Sequence, residues 1–138
     1  MSTRTLAKNM AEQCLAMRMR RLNRVITRIY DEELRQHDVG VAQLNALTAL
    51  GLAGELQPAQ LGGVLDVEKS TLSRNLRRLE ERGWIHIVGQ GSAQRVSLTE
   101  EGAALLGKVR PAWERAQRRA RDALGDPFAG ALRAIPIV

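Results

Sequence analysis

At Gly83 the spacing of apolar residues changes from that of a helix to that of a strand. Before it, in "EKSTLSRNLRRLEERGW" (residues 68 to 84), Leu72, Leu76 and Leu79 fall on one side only if the segment is helical. After it, "WIHIV" (84 to 88) alternates through Ile85 and Ile87, and "QRVSL" (94 to 98) alternates through Val96 and Leu98. The intervening "GQGSA" supplies loop residues, so the two runs predict a β-hairpin. Gly83 itself stands where a helix C-cap is needed, because glycine adopts positive φ without strain.

The rest of the chain reads as helix. Leu15, Leu22, Val25, Ile26 and Ile29 predict one long helix from about Thr5 to Arg35, broken by "HDVG" (37 to 40). "VAQLNALTAL" (41 to 50) is a second helix, stopped by Gly51 and Gly54. Pro58 suits the first turn of a third, "PAQLGGVL", in which Gly62 and Gly63 each cost about 1 kcal/mol relative to alanine. A turn around "DVE" leads into the helix that ends at Gly83. Beyond the hairpin, Thr99 caps a helix running to about Leu124, with Glu100 and Glu101 at the favourable end of its dipole. Pro111 is expected to kink it, and "DPFAGALRAIPIV" forms a last short helix. The fold class is therefore mainly α with a small β-hairpin wing. Short helix, tight turn, helix and hairpin in that order make a winged helix-turn-helix.

Composition narrows the function. The 138 residues suit one domain, and aromatics are only 3%, so the core rests on Leu, Val, Ile and Ala. No stretch approaches the roughly 20 apolar residues that span a bilayer, and "MSTRTLAKNMAEQ" has no signal-peptide core, so a cytoplasmic protein without membrane contact is expected. Lys and Arg number 21 against 15 Asp and Glu, a balance of +6 that favours polyanions, nucleic acid first. One cysteine and two histidines, His37 and His86, form no metal-ligand spacing, so no metal or cofactor is expected. No nucleophile elbow, phosphate loop or dinucleotide fingerprint points to an enzyme.

The helix opposite Leu72, Leu76 and Leu79 carries Ser70, Arg74, Arg77 and Glu81, flanked by Thr71 and Arg78. In a helix-turn-helix, the first turn of the second helix approaches base edges and must be slim, as Ser70 and Thr71 are. Arg74, one turn deeper, can reach a guanine with two hydrogen bonds. Arg77 and Arg78 lie where the helix climbs out towards phosphates, and Ser73 and Asn75 can add neutral phosphate hydrogen bonds. The competing reading is that the serines are caps and the arginines a solvated face.

"LGGVLDVEKSTLSRNLRRLEERGWIHIV" followed by "RVSLTEEG" resembles the MarR family of bacterial transcription regulators, and the likeness extends over roughly residues 10 to 125. The resemblance implies a single domain, 1–138, in which 5–35 and 100–138 are dimerisation helices flanking a winged helix-turn-helix at 41–99. It implies an obligate homodimer on a palindromic double-stranded DNA operator, usually a repressor released by a small-molecule ligand or an oxidant. By the same resemblance, Ser70, Thr71 and Arg74 match base-reading positions, and Ser73, Asn75, Arg77 and Arg78 match positions near the DNA backbone. The sequence departs from the family at the wing tip, where Gln90, Gly91 and Ser92 replace an Asp followed closely by Arg. Only Arg95 remains nearby as a backbone contact, or else it serves the hairpin, and a weaker minor-groove contact is expected. Gly62, Gly63 and a short tail are further departures.

Two features of the first helix bear on release. Cys14 has Arg18 and Arg21 on the following turns, and nearby positive charge favours thiolate. The peroxide-sensing branch of the family uses a cysteine in this helix, but Cys14 lies about two positions early, and of the partner tyrosines only Tyr30 has a counterpart. Arg18, Arg21 and Arg28 make a rough stripe that can line a pocket for a small anionic or phenolic ligand, or pair with Glu32 and Glu33. Trp113 is read as core or dimer interface. A rival class remains open: a winged-helix protein-interaction module with weak or non-specific DNA binding.

Overall fold

The computed structural model describes residues 1–137. Its helices are α1 (Thr3–Gln13), α2 (Leu15–Leu34), α3 (Val41–Ala53), α4 (Pro58–Leu65), α5 (Lys69–Glu81), α6 (Glu100–Leu124) and α7 (Asp126–Arg133). Three short strands, β1 (Glu55–Leu56), β2 (Ile85–Val88) and β3 (Arg95–Leu98), form an antiparallel sheet in the order β1-β3-β2. The chain is mainly helical with a small β wing, as the sequence predicts.

The expected single first helix is two. Cys14 leaves the helical region (φ −71, ψ 108), ending α1 and capping α2, with its Sγ accepting from the Met17 amide at 3.5 Å. Arg18 Nη1 donates to the carbonyls of Ala11 (3.1 Å) and Cys14 (3.2 Å), supplying donors that the end of α1 lacks. The apolar stripe explains the separation. Every residue of it lies on α2, and α1 buries nothing within the chain.

Helix α3 also runs further than expected. Gly51 lies inside it, and the stop comes at Gly54 (φ 81). A Cβ on Gly51 would stand 3.2 Å from Leu106 Cδ1 and 3.5 Å from Leu98 Cδ1, so glycine here lets α3 close on α6 and β3. Strand β1 was not anticipated; Glu55 pairs with Ser97 and Leu56 with Val96, adding a third strand to the hairpin. Two residues are too few to show alternation. Helix α6 runs unbroken through Pro111.

The core sits where α3, α4, α5 and the sheet meet the end of α2 and the first half of α6. Leu34, Leu47, Leu50, Leu61, Leu79, Val96 and Val109 are fully buried there, with Trp84 beside them. Ala112, Ala116 and Ala120 form the buried face of α6, small enough to let a neighbouring helix approach closely. The α2–α6 pair is then fastened at its edge: Arg115 Nε donates to Glu33 (3.0 Å), and Arg119 donates to both Glu33 (3.1 Å) and Glu32 (2.8 Å). These guanidinium hydrogen bonds hold both carboxyl groups below the ordinary carboxylate range, with Arg119 acting first on Glu32 and Arg115 first on Glu33. Tyr30 donates its hydroxyl to Gln117 across the same seam, and burial raises that phenol.

Candidate nucleic-acid interface

Helix α5 is aimed by its two ends. Upstream, Asp66 takes a left-handed conformation (φ 53) as the C-cap of α4, which reverses the chain tightly enough for α4 and α5 to pack. Gly62 makes that packing close: a Cβ there would lie 3.2 Å from Leu72 Cδ2. Downstream, Gly83 (φ 74) ends α5 in a reverse loop, with Gly83 N–H donating to Glu80 O (2.9 Å) and Trp84 N–H to Leu79 O (3.1 Å). Thr99 locks the wing to this corner. Its Oγ1 donates to Gly83 O (2.6 Å) and accepts from Gly102 N–H (3.0 Å), so one hydroxyl caps α6 and holds the end of α5.

The result is a helix with Leu72, Leu76 and Leu79 in the core and the opposite side in solvent. Ser70, Ser73, Arg74, Arg77 and Arg78 are exposed, whereas Thr71 and Asn75 are partly buried at the flanks. Among the described residues, no ion pair engages Arg74, Arg77 or Arg78. From Ser70 to Arg78 the exposed row spans about 12 Å at a helical rise of 1.5 Å per residue, close to the width of a B-DNA major groove. Sequence reasoning passed over Lys69, also exposed, in the first turn. A cation there opposes the helix dipole, so its charge is better matched by an external anion than by its own helix.

Along one flank of α5 lies an open groove of about 810 Å³, bounded by α4 and the wing. Lys69, Ser73 and Arg77 line its α5 side, Pro58 and Gly62 its α4 side, and Ile87 the wing side.

Arg95 is engaged within the sheet and the wing. Its Nη1 donates to the carbonyls of Ser92 (3.3 Å) and Gln94 (2.9 Å), and its Nε lies 3.9 Å from Glu55 Oε1 on β1. It therefore braces the hairpin against the third strand, and the tip at Gln90, Gly91 and Ser92 carries no cation.

The residues singled out on α2 do not converge within one chain. Cys14 and Tyr30 are sixteen positions apart, about 24 Å along the helix axis. Tyr30 is engaged by Gln117, and Arg18 by the carbonyls at the end of α1. Arg21 instead shares one open face of α2 with Arg20, Arg24, Arg28, Met17 and Val25. Of these arginines only Arg28 approaches an acid, with its Nε 4.0 Å from Glu32, among the described residues.

Residues 37–95, which hold α3, α4, α5, β1, β2 and the first residue of β3, match a profile described as the MarR family. The chain is similar to the HTH-type transcriptional regulator PecS of Dickeya dadantii, at 30% identity over 95 residues, 64% of this chain and 57% of that one. The chain thus spans less than two thirds of the length of that relative. Among solved structures, the transcriptional regulator MosR of M. tuberculosis superposes with a TM-score of 0.77 at 28% identity, over 88% of this chain and 89% of that one. A mutant MarR from E. coli complexed with operator DNA has the same fold, with a TM-score of 0.78 at 23% identity over 90% of this chain and 91% of that one.

Proposed function

Because the chain belongs to the MarR family, we propose that it is a sequence-specific double-stranded DNA-binding transcription regulator, acting as a homodimer on an inverted-repeat operator. One observation carries the reading: α5 buries its leucines and offers solvent a row of hydroxyls and unpaired arginines. The MarR structure held with operator DNA supports it by shared fold. Membership in a family of regulators argues against an enzyme. In this reading Ser70, Thr71 and Arg74 contact base edges, and Lys69, Ser73, Asn75, Arg77 and Arg78 contact the backbone. Arg95 supports the wing instead of reaching for phosphate.

The dimer reading rests on the terminal helices. Leu6, Met10 and Leu15 are 52%, 66% and 77% exposed, and Phe128, Ile135 and Ile137 are also uncovered. A second copy interlocking the same elements covers such apolar surface. As a repressor, the protein leaves its operator when a small anionic or phenolic ligand binds. The cluster of Arg20, Arg21, Arg24 and Arg28 beside Met17 and Val25 on one face of α2 favours an organic anion over a cation or a neutral ligand. An oxidant acting at Cys14 has less support, since Tyr30 is distant in the chain and already bonded.

The test is selection from a random DNA pool at near-physiological salt. An enriched inverted repeat, with half-sites about one helical turn apart, is the expected result. Salt-sensitive binding without enrichment would overturn it and favour the interaction module, the reading to which the uncharged wing tip lends weight.

A further inference from the structure

We infer that Arg82 is a positioning residue: its side chain ties the C-terminal end of α5 to the end of α2 and so fixes the angle of α5, beside the Thr99 bond that holds the same corner to α6. The functional consequence rests on the DNA-binding reading above. Arg82 is the C-cap of α5, and its backbone N–H still donates to Arg78 O at 3.0 Å, so the helix carries the side chain rigidly. Its Nη1 donates to the carbonyl of Asp38 at 2.8 Å, and its Nη2 lies 3.4 Å from Asp38 Oδ2. Asp38 is the left-handed residue (φ 55) closing the 3-10 turn at the end of α2. The same guanidinium lies 4.1 Å over the ring of Trp84.

Trp84 belongs to α6 as much as to the wing. Its carbonyl accepts the amide of Thr99, the cap of α6, at 3.0 Å. Gly102 in the first turn of α6 is so close that a Cβ would lie 2.0 Å from that carbonyl. The guanidinium therefore joins the end of α5 to the end of α2 by hydrogen bonds and stacks on Trp84, whose backbone meets the start of α6. A second tie, from Asp31 Oδ1 on α2 to the amide of Val41 (2.8 Å), fixes α3 but does not reach α5. Stability alone does not explain the arrangement. The Asp38 side chain is 91% exposed, and an ion pair so solvated contributes little to folding.

A lever argument gives the scale. Thirteen residues make α5 about 20 Å long, so a 10° rotation about its C-terminal end moves the first turn by about 3 Å. That displacement is close to one base-pair step. In a dimer it changes the separation of two readers that must meet half-sites at one spacing.

The experiment uses the full chain with Cys14→Ser, spin labels at Asn23→Cys on α2 and Glu68→Cys at the N-cap of α5, the end that a rotation moves most, and excess unlabelled protein so that only pairs within one chain report. Pulsed electron resonance gives the distance distribution without DNA. Arg82→Ala is expected to broaden it about twofold, and Arg82→Lys, which keeps charge but loses the planar fork, by an intermediate amount. Asp38→Asn retains the carbonyl acceptor and tolerates positive φ, so it should leave the width unchanged. In parallel, operators whose half-sites are respaced by one to three base pairs are compared. The parent should discriminate by about tenfold and Arg82→Ala by no more than about threefold, with base preferences within each half-site kept. An unchanged distribution in Arg82→Ala or Arg82→Lys protein that melts cooperatively overturns the inference. A parent that selects no inverted repeat overturns the DNA-binding reading instead, while the distance distributions still decide the role of Arg82.

Discussion

Arg74 and Arg78 sit one turn apart on α5, both exposed and, among the described residues, neither in an ion pair; in the DNA-binding reading they face different parts of a duplex. Arg74 stands nearer the first turn, where side chains approach base edges. Arg74→Ala should cost about 1–3 kcal/mol of binding, concentrated at one base pair in each half-site. In the same reading Arg78 lies where the helix leaves the groove. Arg78→Ala should weaken all sequences alike and flatten the salt dependence by about one unit of slope. Titrations of both variants against the selected operator and a scrambled duplex, at several salt concentrations, separate the two roles. Equal losses on both duplexes for Arg74→Ala would mean that it holds phosphate and reads nothing.

Between elements, the α2–α6 seam combines small buried alanines with a polar edge. Glu32 and Glu33 accept from Arg115 and Arg119, and the hydrogen bonds depress both carboxyl groups relative to the unfolded chain. A carboxylate with a lowered folded pKa adds stability above its unfolded value and loses it as pH falls through the folded one. The seam should therefore weaken below pH ~4.3, the ordinary glutamate value. Glu33→Gln should lower the melting temperature at neutral pH and reduce its acid-side decline, which thermal melts across pH 3 to 7 can measure. An equally steep decline in the variant would place the acid sensitivity elsewhere.

At the scale of the whole molecule, α1 buries none of its residues against the rest of the described chain, and much of the surface left uncovered on the terminal helices is apolar. If a second copy covers it, unfolding is coupled to dissociation, and the melting temperature should rise with protein concentration. Deleting residues 1–13 should weaken the dimer by at least tenfold, by sedimentation equilibrium, because it removes Leu6 and Met10 from the interface (about 1.4 kcal/mol per tenfold). A concentration-independent melt with an unchanged sedimenting mass in the deleted chain would refute this assembly.

What the sequence determined by itself is what short-range physics controls. The period of Leu72, Leu76 and Leu79, the glycine demanded at position 83 and the hydroxyl at Thr99 each specify a local geometry, and together they define α5, the wing and the helix after it. The exposed face of α5 follows directly, since burying three leucines at that spacing leaves Ser70, Arg74 and Arg77 outside. Tertiary structure decided the rest. Apolar spacing along α2 gives no hint that Cys14 breaks the helix, because the break depends on side-chain bonds and on α1 burying none of its residues against the rest of the described chain. A strand of two residues exists only because β3 offers it a ladder. Arg95 and Arg82 look alike as exposed cations in a basic chain. Which partner each one meets, Glu55 on a distant strand or Asp38 at the end of α2, is fixed by contacts 40 and 44 positions away in sequence, beyond the reach of any local pattern.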